Sequence, residues 1–440
     1  MTSELARLLF LDAAIACVGA AILVLAGWCS PRQVVGSLGL AYVAGVAWLG
    51  ATGSLLLMIG SPLRLPVVAL FAILPIVAAM LVARYRVRWR VAPRLTGSRW
   101  AALPAVLIAS MVALRGTAYP MWDWDAWSFW TPKAASIVDL NGLSSAYLQS
   151  GVANPDYPPF LPALESIFFR VEGSLDTTLL HMQFGVLLMA FFAAAGELLL
   201  RRAQPIRTAL VLCALAAAPT VYTQTLSTYA DVPLAIFVAL GALLAWQRVE
   251  GERRAATPIA FLLMTAAMLT KLEGAIFAAS VLAVLAATRR STMSRTVPVA
   301  ILISSAAVAI IPWRLWLYSH HISGTYHFQA SRLTADPKRS IDAGSALLEA
   351  LASPTRWLLL PPLVAVAIAF AFRNGRRQDA LFIVCTTAVS LLGLAFIFWG
   401  TSYPFAWHIR TSVHRIILTP MFIAATFAAL LLTPRISSAD

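Results

Sequence analysis

The residues best suited to chemistry gather early in the chain. Asp123 and Asp125 stand two apart among Trp122, Trp124, Trp127 and Trp130, with Lys133 just behind them. Burial against aromatic rings disfavours the charged form of a carboxylate and raises its pKa toward the range useful for a general base. The competing explanation is an interfacial belt of tryptophan around solvated acids, but the tight embedding of the pair favours catalysis. Further along, Asp156 and Tyr157 lie in a proline-rich run from Asn154 to Pro162, and Asp231 sits just before Pro233. Lys271 and Glu273 punctuate a long apolar stretch, and His408, Arg410, His414 and Arg415 precede the last one. A Lys or Asp at mid-bilayer costs roughly 2.5–3.5 kcal/mol, so such residues serve function or pair with each other. A Lys271–Glu273 or Lys271–Asp231 pair that merely closes the fold would be the structural alternative. The Arg and His residues of 400–415 could hold an anionic headgroup; ordinary snorkelling competes with that reading. Metal signals are weak. His320 and His321 are adjacent and so do not face one way on a helix, and two carboxylates alone make a poor divalent-cation site.

Composition names the elements that must position these residues. The chain of 440 residues is 60% hydrophobic and 12% charged, with a mean hydropathy of +0.80. That leaves too little polar sequence to coat a soluble particle, against about 25% charge in an ordinary domain. A net charge of +14 would suggest nucleic acid in a soluble protein; here it must be read by position. Apolar runs of membrane-crossing length fall near 8–29, 35–60, 66–83, 100–117, 178–200, 208–226, 230–247, 297–317, 356–372, 380–399 and 416–433. The stretch 255–288 is too long for one crossing, so two short helices or a re-entrant hairpin with its tip near Lys271 is expected. The fold class is therefore all-α, a polytopic membrane protein of about 13 transmembrane helices.

Arginine sets the orientation, because cytoplasmic loops retain positive charge. Placing the Arg-rich stretch 84–99 in the cytoplasm puts the N-terminus out and the C-terminus in. All six histidines, and seven of the 19 acids within the large loop 118–177, then fall on or beside outer segments. An interfacial amphipathic helix is expected at 161–171 and a similar one at 133–148. The cytoplasmic turns offer Arg with nothing that suggests chemistry, so an active site would open outward. None of the four cysteines lies on an outer loop, and no disulfide framework is expected.

The order of these pieces resembles the GT-C superfamily of integral-membrane glycosyltransferases, which includes protein O-mannosyltransferases and bacterial aminoarabinose lipid A transferases. The matching segments run from Trp124 to Ala134, Asp156 to Pro159, Ala230 to Pro233, Thr270 to Gly274 and Trp407 to Arg415. They cover roughly 100–435 and leave 1–99 as additional N-terminal helices with the Arg-rich loop. The resemblance implies transfer of a sugar from a polyprenyl-phosphate donor to a glycolipid, polysaccharide or protein acceptor, at the outer face of a bacterial inner membrane. By position it assigns the catalytic base to Asp125, with Asp123 second. Lys271 and Arg415 would hold the departing phosphate, and Trp127 and Trp130 would stack on sugar faces. Lys133, Asp156, Tyr157, Asp231, Glu273 and His414 complete the substrate-binding candidates. No cofactor is firmly implied; a divalent Mg or Mn ion is compatible. The Asp-Trp-Asp spacing departs from the adjacent Asp-Glu of the O-mannosyltransferases. A lipid-linked oligosaccharide flippase or secondary transporter is the alternative, and it should place charges along a path through both leaflets. No nucleic-acid partner is expected.

Overall fold

The computed structural model describes residues 2–85, 99–289, 291–325 and 327–434. Arg86, Arg88, Arg90, Arg94, Arg290 and Arg435, which carry part of the orientation argument, lie outside them. The architecture is all-α and polytopic, as the composition requires. Among the described residues the one pairing of extended backbone outside the helices is an isolated bridge between Phe328 and Thr401.

Among the described residues, eight helices are long and apolar enough to cross a membrane: Ser3–Leu25, Gln33–Met58, Leu65–Arg84, Thr177–Leu199, Asp231–Val249, Ser294–Ser319, Arg377–Trp399 and Phe405–Leu431. A bent pair, Pro205–Ala216 and Pro219–Leu226, turns by 56° at Pro219 and makes up to a ninth span. Pro219 lacks the N–H that would continue the hydrogen-bond ladder, which accounts for the kink. Four shorter apolar helices complete the set: Trp100–Gly116, Ala256–Thr270, Glu273–Ala287 and Leu360–Arg373.

The first two helices press backbone to backbone, since a Cβ on Gly45 would come within 2.0 Å of the Ile15 carbonyl oxygen. Without a hydrophobic drive between helices in lipid, such close approach supplies the packing. Three loops differ from expectation. The 161–171 helix forms, as Phe160–Glu172, but nearly all of it is buried, wedged against Leu38–Met58 and Thr131–Leu140. Residues 133–148 do not make one helix; Asn141, in the left-handed region at φ 57°, ends Thr131–Leu140 before a short Ser145–Gln149 turn. The polar segment 405–415 is helical, running from Pro404 almost continuously into the last span, so Arg415 is carried inside the bundle rather than on a loop.

The break at 271 is the most informative local feature. Lys271 adopts an extended conformation (φ −157°, ψ 155°) between Ala256–Thr270 and Glu273–Ala287. Gly274 then lies so close to Ala267 that a Cβ would sit 2.0 Å from its carbonyl oxygen. At 15 residues each, the two helices are about 22 Å long, shorter than a hydrocarbon core of ~30 Å. Asp231 opens the neighbouring span and Glu250 follows it, 19 helical residues later. At 1.5 Å per residue the two ends lie about 28 Å apart.

Both ends of this central group of helices carry buried charge. At the Glu250 end, Arg289 reaches Glu250 at 2.6 Å and Asp379 at 3.4 Å. Arg376 meets the other Asp379 oxygen at 3.3 Å, and Trp246 donates to Asp379 at 3.0 Å. The opposite end holds Asp125, Asp231, Lys271 and Arg415.

Candidate active site

Asp125 stands at the start of a π-helical turn, Ala126–Trp130, that feeds directly into the Thr131–Leu140 helix. The amides of Ala126 and Trp127 both donate to the Asp123 carbonyl, winding the loop tightly around the two carboxylates. The Asp125 backbone N–H donates to the Tyr229 hydroxyl at 3.3 Å. Arg415 closes the arrangement from a helix 290 residues away: its Nη1 lies 2.5 Å from Asp125 Oδ2. The guanidinium packs over the Tyr229 ring, 4.6 Å from its centroid.

Beside this pair, Lys271 Nζ contacts Asp231 Oδ1 at 2.9 Å and Glu273 Oε1 at 3.5 Å. Lys271 and Asp231 are buried, and Lys271 meets both of the acids that the sequence offered as its structural partners. It also joins the larger cluster: burial and the nearby carboxylates of Glu273, Asp125 and Asp156 hold the Tyr157 phenol well above its ordinary range, against Arg415. The Tyr403 phenol is raised by burial, Asp156 and Asp125. Asp123, half-buried, is shifted upward by desolvation and by Asp125, while Arg415 opposes the shift. Several polar atoms here have no hydrogen-bond partner, including Arg415 Nε, Glu273 Oε2 and Asp156 Oδ1. A buried polar atom left unpaired costs about 1–3 kcal/mol, so a polar ligand that met these three would be favoured.

Other candidates play different parts. Lys133 is buried and donates to the Asn154 carbonyl, with its ammonium 5.3 Å and 5.8 Å from the Phe129 and Trp130 ring centroids. Desolvation lowers its pKa to about 7, with Asp156 acting the other way. Trp130 is 1% exposed and stacks on Tyr157 at 5.5 Å. These two residues pin the Asn154–Tyr157 loop, and Trp130 does not face an opening. Trp122, Trp124 and Trp127 are 65%, 60% and 47% exposed and form the rim instead. Asp156 accepts from Trp313 through its backbone oxygen at 2.8 Å, and its carboxylate lies against Gly324. His414, half-buried, sits within electrostatic reach of Arg415, Arg356 and Asp231.

Tyr229 and Tyr403 are not marked as site residues by the sequence. Their spacing carries no sign that both rings turn toward Asp125. Among the described residues no three His, Cys, Asp or Glu side chains converge to hold a metal ion. Asp123 and Asp125 thus have no third His, Cys or carboxylate placed with them to complete a metal site. An apolar groove of about 490 Å³ opens along the last helices, lined by Leu348, Val364, Ile383, Leu391, Pro420 and Met421. Pro420 and Met421 follow Arg415 by five and six residues along the helices Phe405–Ile416 and Leu418–Leu431.

Residues 156–316 match the family model described as dolichyl-phosphate-mannose-protein mannosyltransferase. The match holds Asp156, Tyr157, Asp231, Lys271 and Glu273, while Asp125 and Arg415 lie outside it. No curated protein and no solved structure matches the chain significantly. Over 156–316 the chain is similar to these mannosyltransferases, and that match supports its assignment as a membrane glycosyltransferase of the GT-C type.

Proposed function

We propose that the protein transfers a sugar from a polyprenyl-phosphate donor to a hydroxyl acceptor by a single inverting displacement. The observation that carries this reading is the meeting of Asp125 and Arg415, a base and an anion holder, beside the Lys271 cluster. Asp125 would take the proton of the acceptor hydroxyl as its oxygen bonds to the anomeric carbon. The bond from that carbon to the phosphate oxygen breaks, and its electron pair leaves with the polyprenyl phosphate. The phosphate passes from one negative charge to two, so cations aimed at it stabilise the transition state more than the ground state. Arg415 supplies that charge directly. Lys271, oriented by Asp231 and Glu273, has a third N–H to offer.

Asp123 is the second candidate base. It is half-buried with a raised pKa, the direction that suits a base working near neutral pH. The exposed faces of Trp122, Trp124 and Trp127 would receive the acceptor. The groove would take the isoprenoid chain, placing the phosphate at the level of Arg415. The Arg bias of the sequence supports a site that faces outward, and the resemblance to the GT-C enzymes supports a bacterial inner membrane.

The test is reconstitution in vesicles with a synthetic polyprenyl-phosphate hexose. Transfer with inversion at the anomeric carbon is expected, and Arg415→Ala should raise the KM for donor at least tenfold. Retained configuration would sink the direct displacement, and an unchanged donor KM would remove the phosphate clamp.

A further inference from the structure

The base and the anion holder of the proposed reaction are bonded to each other. Arg415 Nη1 and Asp125 Oδ2 are 2.5 Å apart, with both side chains largely shielded from solvent (11% and 15% exposed). The Asp125 oxygen that Arg415 holds is not free to receive a proton from an acceptor hydroxyl. The same contact occupies part of the cation that should receive the phosphate.

Charge balance sharpens the conflict. Lys271 and Arg415 face Asp123, Asp125, Asp231 and Glu273, two cations against four carboxylates. Lys271 is already committed to Asp231 and Glu273. Arg415 keeps a buried donor, Nε, without a partner. The Tyr229 ring beneath the guanidinium fixes its plane, and the Tyr229 hydroxyl holds the Asp125 backbone independently of the ion pair. Asp125 can therefore lose Arg415 by side-chain rotation alone while its backbone stays in place.

We infer that Arg415 exchanges partners during the cycle: it holds Asp125 in the donor-free site and passes to the donor phosphate on binding, which releases Asp125 as the base. This rests on the reading above and adds its order of events. Without donor, Asp125 is neutralised and does not deprotonate a stray hydroxyl. With donor, the phosphate draws the guanidinium more strongly as its charge grows, and the Asp125 oxygen is freed in the same step. The proton moves from the acceptor oxygen to Asp125, the new carbon–oxygen bond forms, and the electron pair of the broken bond remains on the phosphate beside Arg415.

The consequence is unusual for a catalytic residue: removing the carboxylate charge should tighten binding of the carrier. Farnesyl phosphate, titrated into the full-length protein in lipid nanodiscs, serves as the probe, with farnesol as the phosphate-free control. Asp125→Asn should bind farnesyl phosphate about tenfold more tightly than wild type, equivalent to about 1.4 kcal/mol. Asp123→Asn, which removes the same formal charge without freeing Arg415, should change affinity far less. Equal tightening in both variants, or unchanged or weaker binding by Asp125→Asn, would overturn the exchange. Arg415→Ala binding the probe as well as wild type would instead overturn the phosphate clamp itself. A measurement free of variants guards against misfolding: carbodiimide labelling of Asp125 in the wild type should speed up severalfold when farnesyl phosphate is added. Labelling that stays constant contradicts the exchange.

Discussion

The two ends of the helix bundle hold charged clusters of similar size and opposite character. At the Glu250 end, Arg289 and Arg376 face Glu250 and Asp379, and both Asp379 oxygens are engaged, by Trp246, Arg289 and Arg376. Arg289 Nε is left vacant there, but the acids and bases balance. At the Asp125 end four carboxylates meet two cations, Glu273 Oε2 and Arg415 Nε have no partner, and exposed tryptophans flank the opening. A balanced, enclosed network locks helices together and gains little by change. A cluster with surplus acid and vacant donors is held open at a cost in stability, as sites for ligands commonly are.

The largest effects should fall on residues that only hold the fold. Asp379→Ala removes the carboxylate shared by Arg289, Arg376 and Trp246, leaving Arg289 to Glu250 alone, and should cost about 3–5 kcal/mol, read as a fall in melting temperature. Sugar transfer per folded molecule should persist; a selective loss of transfer would erase the distinction between the ends. Trp130→Ala should likewise cost about 3–5 kcal/mol, as truncation of a buried aromatic does. Trp127→Ala, at the rim, should stay within about 0.5 kcal/mol and raise the acceptor KM. Matching stability losses in the two Trp variants would contradict their assigned places.

A smaller effect concerns Glu165, fully buried in the Phe160–Glu172 helix with neither carboxyl oxygen hydrogen-bonded. Burial pushes its pKa up to about 8, opposed by Thr131. The folded protein thus holds this proton to about pH 8, while the unfolded chain releases it near 4.5. The neutral carboxyl contributes stability that is complete below 4.5 and is lost as pH rises through 8. The wild-type melting temperature should fall between about pH 6 and 9, by roughly 4 °C or more, and Glu165→Gln should flatten that slope. An unchanged slope in the variant would assign the pH dependence elsewhere. Smallest of all, Lys338→Ala removes an exposed pair with Asp342 and should alter neither stability nor transfer measurably.

Much of this architecture is written in local pattern. Run length and flanking Arg residues require a break within 255–288, and the helices end and restart around Lys271. The ion pair of Lys271 with Asp231 follows from the cost of leaving either alone in lipid. Long-range geometry is another matter. The Asp125–Arg415 contact joins residues 290 apart, and no periodicity reports it. Amphipathic spacing identified the Phe160–Glu172 helix but not its burial, because a wedge between helices and a surface helix share one apolar face. The Arg-rich turns of the opposite end read as simple topological signals. Asp379 lies at the start of the Arg377–Trp399 helix, and only packing reveals that it gathers Arg289, Arg376 and Trp246.

The comparison of the two ends stands or falls on Asp125. The decisive measurement is the initial rate of sugar transfer by purified Asp125→Asn in vesicles, normalised to folded protein by its melting curve. Loss of a general base at this position should lower the rate about 10²–10⁴-fold while the melting transition remains cooperative. A variant that transfers sugar at the wild-type rate would contradict the account, and would leave the Asp125 end as a structural cluster like its counterpart.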